Sequence, residues 1–276
     1  MTLAFETINF FHWIFRWWHV VFGITWIGLL YYFNFVQVPS FPTMEGPHRN
    51  GAIDKLVPRA LWYFRFGAVA TAATGIVMIG LDMSRDKLVR SYQGAAGTSI
   101  YAGALIGLLM LANVWLIIWP NQKTVIANAR GLLAGKEADP KVADAGRRAL
   151  LASRTNAVLS IPMLMFMTGS AHYLGSEQVS PAIVFWIVLI AIVAVLELSA
   201  LGFIGGLQGP LTKQIAGHPR QVAHLGVPVA IILLVVWLVL SELSTTQGLG
   251  VHPEAKMRAP FLPPVERGSS RRRGVL

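Results

Sequence analysis

Hydrophobic positions gather into six long runs along the chain, at about 9–37, 60–82, 99–119, 156–174, 181–206 and 225–243. Roughly 20 helical residues cross a bilayer's hydrocarbon core, and each run comes close to that length or exceeds it. The pattern predicts an all-α fold: a polytopic transmembrane helix bundle of about six spans. Trp13, Trp17 and Trp18 lie early in the first run, Trp62 and Tyr63 start the second, and Trp115 and Trp119 end the third. Amphipathic rings of this kind favour the membrane–water interface.

The polar stretches between runs are short, with one exception. Residues 120–156 keep apolar positions at helical spacing on both sides of Asp139-Pro140, which predicts two helical extensions joined near "GKEADP". After the sixth run, residues 245–276 are rich in Pro, Gly, Ser and Arg and carry no period. They read as an extended or disordered periplasmic tail behind a helical domain spanning 1–244. The opening "MTLAFETINFF" has no cationic n-region and no small-residue cleavage site, so it reads as the lead into a retained helix. There is no internal repeat and no pair of short broken spans, the usual pointers to a transporter's midplane site.

Charge orients the bundle. The connections after runs one, three and five hold Arg49, Lys55, Arg59, Lys123, Arg130, Lys136, Lys141, Arg147, Arg148, Arg154, Lys213 and Arg220; those on the other side hold only Arg85, Lys87 and Arg90. The positive-inside rule puts the first set in the cytoplasm and both termini in the periplasm. The tail's Lys256, Arg258, Arg267, Arg271, Arg272 and Arg273 pull the other way, but distal tails weigh less than short loops. The net charge of +10 then reflects topology and contact with an anionic lipid bilayer. Its cations do not form one soluble basic face with interleaved aromatics, so a nucleic-acid partner is not expected.

Composition changes the picture in two ways. With 54% hydrophobic and 13% charged residues, the chain is far from the roughly 25% charged of a soluble domain. It also has no cysteine. Disulfides, iron–sulfur clusters, thiolate metal sites and covalent c-type haem are excluded. Any redox centre must be non-covalent and held by other side chains.

Against that background a few polar residues stand out. His12, Arg16, His19, Gly23 and Trp26 step by four, three, four and three, and so share one face of the first helix. One use of such a stripe is structural, with a histidine bonded to a neighbouring helix and Arg16 reaching the headgroups. The other is a non-covalent haem b, for which imidazole is a standard axial ligand and an arginine pairs with a propionate. A second ligand must lie at similar depth. His172, near the end of the fourth run behind Gly169, Ser170 and Ala171, is the candidate. By depth it pairs with His12; by placement inside the bundle His19 is the better metal ligand, and the two criteria disagree. His48, His218, His224 and His252 lie in connections or at run ends and read as surface or structural. Glu197 is a carboxylate deep in the fifth run. Such acids mark functional sites by default: it could relay protons as a catalytic residue, accept from a substrate N–H, or pair with Arg65. Asn113 reads as interhelical hydrogen-bonding glue. Pro162 is expected to bend the fourth helix, with Met163, Met165 and Met167 packing around it.

Three stretches together, "RWWHVVFGITWIG" (16–28), "WLIIWPNQKTVI" (115–126) and "SRTNAVLSIPMLMFMTGSAHY" (153–173), resemble the bacterial membrane-bound urate oxidase family. The resemblance covers about residues 8–244. Arg16, His19 and Trp26 match its first-helix motif; Trp119, Pro120, Asn121, Gln122 and Lys123 the third; Arg154, Asn156, Pro162, His172 and Tyr173 the fourth. The resemblance favours Arg16 and His19 over His12. It implies an inner-membrane protein that oxidises urate, passes electrons to cytochrome c, and has a periplasmic C-terminus. In that family a cytochrome c domain follows the membrane part; this chain stops about 32 residues after the sixth run without a C-x-x-C-H. Two functions are therefore expected. One is a haem-b electron-transfer protein that hands electrons to a separate periplasmic cytochrome c. The other is a non-catalytic integral subunit of a larger membrane redox or photosynthetic complex.

Overall fold

The computed structural model describes residues 2–83, 95–174 and 183–247. Among them the regular structure is helical throughout, and six helices are long and apolar enough to cross a membrane. The chain is a multi-pass membrane protein.

The first span runs through α1 (Thr2–Tyr31), a wide π-helical turn (Tyr32–Gln37) and α2 (Val38–Ser40). A short 3₁₀ turn (Phe41–Thr43) leads to α3 (Gly46–Lys55), and α4 (Val57–Met83) makes the second span. The third span is α5 (Ala95–Ala112), a second π-helical turn (Asn113–Ile118) and α6 (Trp119–Leu133). Then come α7 (Val142–Gly169), α8 (Ile183–Ala200), the short α9 (Pro210–Ala216) and α10 (Arg220–Gln247). Each wide turn sits just ahead of a proline, Pro39 and Pro120. A proline has no N–H for the carbonyl four residues back and its ring crowds that carbonyl. Opening the helix by one residue per turn relieves the crowding without ending the helix.

The six spans and the paired extensions around "GKEADP" agree with the sequence reading: α6 and α7 run on past the apolar runs and meet at residues 134–141, where the Asp139 N–H donates to the Asn128 side-chain oxygen at 2.8 Å. Several ends differ. The connection 38–59, expected as loop, is largely helical. The fifth span stops at Ala200, not 206: Gly202 takes φ 86°, and the N–H groups of Gly202 and Phe203 turn back to the carbonyls of Ser199 (3.0 Å) and Leu198 (2.8 Å). That is a Schellman stop, which needs a left-handed residue and so a glycine. The fourth helix stops at Gly169, not 174. The sixth continues to Gln247. The tail beyond it, with His252, and the cations Arg85, Lys87 and Arg90 lie outside the described residues.

α7 is the centre of the bundle. It is among the least apolar spans, yet about two thirds of it is buried, against under two fifths for each other span. The two facts have one cause. Polar side chains cannot face lipid, so Asn156, Thr155 and Ser160 need protein around them. Its neighbours approach through small residues. A Cβ on Gly103 of α5 would meet the Met163 carbonyl at 3.3 Å, and one on Gly226 of α10 would meet the Val158 carbonyl at 2.9 Å. Val158 is four residues before Pro162, so that carbonyl is the one the proline leaves without a helical donor. Phe166, Phe185 and Trp237 knit α7, α8 and α10, with ring centres 5.1–5.9 Å apart. Arg147 and Arg154 of α7 donate to the carbonyls of Leu207 (3.0 Å) and Gly217 (2.9 Å), which fastens the connection carrying α9.

Connections after the first, third and fifth spans share one end of the bundle. We refer to it as the basic end, since Arg49, Lys123, Arg130 and Arg147 cluster there. There Asp54 of α3 pairs with Arg130 of α6 and with Lys55. The chain's first residues and the turn after α7 belong to the opposite end.

Candidate functional site

α1 and α4 pack antiparallel through small residues. A Cβ on Gly67 would meet the Trp26 backbone N at 3.5 Å and the Phe22 carbonyl at 3.6 Å, and one on Gly23 would touch Thr71. In that interface His19 is half-buried. Its Nδ1 lies 2.8 Å from the Thr71 carbonyl and 3.3 Å from the Thr74 hydroxyl. A carbonyl only accepts, so Nδ1 is the protonated nitrogen and Nε2 keeps its lone pair. Gly75 makes the space: a Cβ there would stand 3.2 Å from His19 Cε1. His12 is buried, Arg16 is exposed, and Trp26 is buried with an indole N–H that has no hydrogen-bond partner. The expected inward stripe thus holds for His12, His19 and Trp26, while Arg16 turns outward.

His19 has one feature of a metal-bound imidazole, an Nδ1–H held on a carbonyl with Nε2 left unprotonated. Metal-bound imidazoles keep their other N–H on a carbonyl or carboxylate, which fixes the ring and raises its basicity. His172 stands differently. It lies past the end of α7, exposed, in a turn closed by its own N–H to Gly169 at 3.1 Å, and its imidazole has no hydrogen-bond partner among the described residues. No cluster of three or more His, Cys, Asp or Glu suited to a metal occurs among the described residues.

The second polar group lies in the middle of the bundle. Asn113 opens the wide turn of the third span and donates through Nδ2 to Asn156 Oδ1 (2.8 Å) and Glu197 Oε1 (2.7 Å). Asn156 in turn donates to the Met110 carbonyl at 2.9 Å. All three side chains are buried, at 3%, 0% and 7% exposure for Asn113, Asn156 and Glu197. Asn113 is the interhelical glue the sequence suggested, joining the third, fourth and fifth spans. Arg65 is not Glu197's partner: its guanidinium stacks 3.4 Å above the Trp119 ring, and its Nε donates to the Leu61 carbonyl. Asn34, in the first span's wide turn, adds a similar link, donating to Ser153 Oγ of α7 at 2.9 Å.

The third feature escaped the sequence reading. A cavity of about 300 Å³ opens at the basic end, between the first span's wide turn, α3, α4, α7 and the junction of the third span's wide turn with α6. Gln37, Arg49, Gln122 and Ser153 are its polar lining. At about 1.5 Å per residue, its Phe33 lies about 21 Å along the first span from His19.

Comparison with known proteins gives one match. A family model described as urate oxidase N-terminal matches residues 55–204, just over half the chain. That stretch includes Trp119–Lys123, Asn156, His172 and Glu197, and it leaves out the first span with His12, Arg16 and His19. No curated protein and no solved structure matches the chain.

Proposed function

Since the chain belongs to the urate oxidase N-terminal family, we propose that it is an integral-membrane oxidoreductase component of the bacterial inner membrane. It takes electrons from urate and delivers them to a separate periplasmic cytochrome c; a b-type haem held by His19 would supply the one-electron storage between them. The observation that supports the haem is the bond from His19 Nδ1 to the Thr71 carbonyl, which presents Nε2 as a ligand of fixed orientation. Arg16, one turn away and exposed, pairs with a propionate carboxylate. His172 is the proposed second ligand, with His12 as its rival on the same face as His19. Glu197 takes up a proton when substrate is oxidised; its Asn113 contact holds the carboxylate in place in the bundle's interior.

A reduced-minus-oxidised spectrum of the purified protein tests this. A Soret and α-band change that disappears in His19→Ala is the expected result. Cytochrome c reduction on adding urate tests the reaction. The exposed turn position of His172 favours one other reading, an integral subunit of a redox or photosynthetic complex that carries no haem of its own. A flat spectrum in protein made with ample haem would leave that reading standing.

A further inference from the structure

The cavity at the basic end holds polar side chains that no described residue satisfies. Gln37 is only 9% exposed, and its carboxamide has no hydrogen-bond partner among the described residues. The half-buried side chains of Gln122 and Arg49 share the cavity and have no partner there either. The bundle's buried asparagines Asn34, Asn113 and Asn156 all donate to neighbouring spans, although Asn34 Oδ1 has no partner among the described residues. Arg49 and Gln122 are half-buried and Gln37 lines the same space, so three hydrogen-bonding groups open onto one cavity and are free to bond a guest there.

The lining specifies the guest. Phe33, Phe41 and Phe64 supply flat apolar walls. Each glutamine offers two N–H donors and one acceptor, the complement of a ring amide edge. Arg49 brings the cavity's charge, and no Asp or Glu lines it. A volume of about 300 Å³ is at the small end for ligand sites. It suits one or two fused rings and not a long lipid tail. We propose that this cavity binds a small, planar, singly anionic heterocycle with ring amide edges. Arg49 takes its charge, Gln37 and Gln122 read its edges, and the phenylalanines cover its faces. The choice of urate as that molecule rests on the function proposed above; the site itself is read from its lining. Ser153 at the cavity wall is one helical turn from Asn156 of the Asn113–Asn156–Glu197 group.

Calorimetry of urate binding to the full-length protein in detergent, at neutral pH, tests the site without any redox chemistry. One urate per chain is expected, with binding weakened about tenfold or more in Gln37→Leu and in Arg49→Leu. Glu137→Gln, in the exposed turn between α6 and α7, keeps wild-type affinity. Gln37→Leu removes no bond within the protein, so its melting temperature checks that lost binding is not lost folding. Absence of urate binding overturns the site. So does equal binding by the two cavity variants, or equal binding of caffeine, which is planar but uncharged and lacks ring N–H. Cytochrome c reduction separates this claim from the wider one. Binding without reduction sinks the electron-transfer reading and keeps the site. Reduction at unchanged kcat/KM in both cavity variants sinks the site and keeps the reaction.

Discussion

Two sites of the bundle, the His19 pocket and the basic-end cavity, treat their polar side chains in opposite ways. In the pocket, His19 is bonded to Thr71 and Thr74, in a gap that Gly75 leaves for it. At the basic end, Gln37, Gln122 and Arg49 face a cavity and have no side-chain partner among the described residues. The contrast separates two kinds of polar residue inside a membrane protein. A satisfied group is held in position, and what it offers is its remaining atom: Nε2 of His19. An unsatisfied group has kept its bonds for something else. Between the two, Asn113, Asn156 and Glu197 bond to one another and tie three spans together.

The largest expected effect is at the satisfied site. His19→Ala removes an imidazole whose orientation is fixed by the Thr71 carbonyl of a neighbouring span, and a haem spectrum should vanish completely. A full spectrum in that variant, lost instead in His12→Ala, would move the ligand one face-step along α1. The next effect compares the centre with the basic end. Asn156→Leu strips the Met110 carbonyl and Asn113 of a partner in a fully buried place, and should cost about 1–3 kcal/mol of stability. Gln37→Leu, at a position 9% exposed, should change stability by less than about 0.5 kcal/mol, since no protein bond is lost. Thermal melts of the two in one detergent decide the matter: equal losses would erase the difference between the regions. Glu197→Gln comes after these. Glutamine still accepts from Asn113, so fold and any haem band should persist while urate-dependent turnover slows. Unimpaired turnover would leave Glu197 as a tie between spans and nothing more.

How much of this was legible before the structure depends on what periodicity carries. The six spans, the extensions around "GKEADP" and the shared face of His12 and His19 follow from spacing alone, and the structure has them. Spacing gives depth but not direction around a helix axis. Glu197 and Arg65 could therefore be imagined as a pair, although Arg65 turns to Trp119 and Glu197 to Asn113. The stop at Ala200 was hidden because "LGFIGG" stays apolar; only the left-handed φ of Gly202 ends the helix. The cavity was hidden for a different reason. Gln37 ends the first apolar run and Arg49 and Gln122 lie in connections, where a polar residue reads as solvated. The visible hint was the pair of amides, Asn34 and Gln37, in the mostly apolar "YFNFVQVPSF", ahead of a proline whose effect on the helix, a widened turn, brings Gln37 to the cavity.

The smallest effect tests how tightly the satisfied site is built. In Gly75→Ala the new Cβ would stand 3.2 Å from His19 Cε1 and 3.5 Å from Nδ1. The ring must give by a few tenths of an ångström, away from α4, which lengthens the 2.8 Å contact to the Thr71 carbonyl. That contact makes the imidazole a stronger electron donor to any iron on Nε2, and a stronger donor favours the oxidised metal. Loosening it should raise the midpoint potential of a haem held there while leaving the amount of haem unchanged. Thr74→Val, which removes only the 3.3 Å contact, should shift the potential less in the same direction. A potential unmoved by both changes would mean that the Thr71 contact anchors a structural histidine, and that the electron-carrying ligand must be sought elsewhere on the first span.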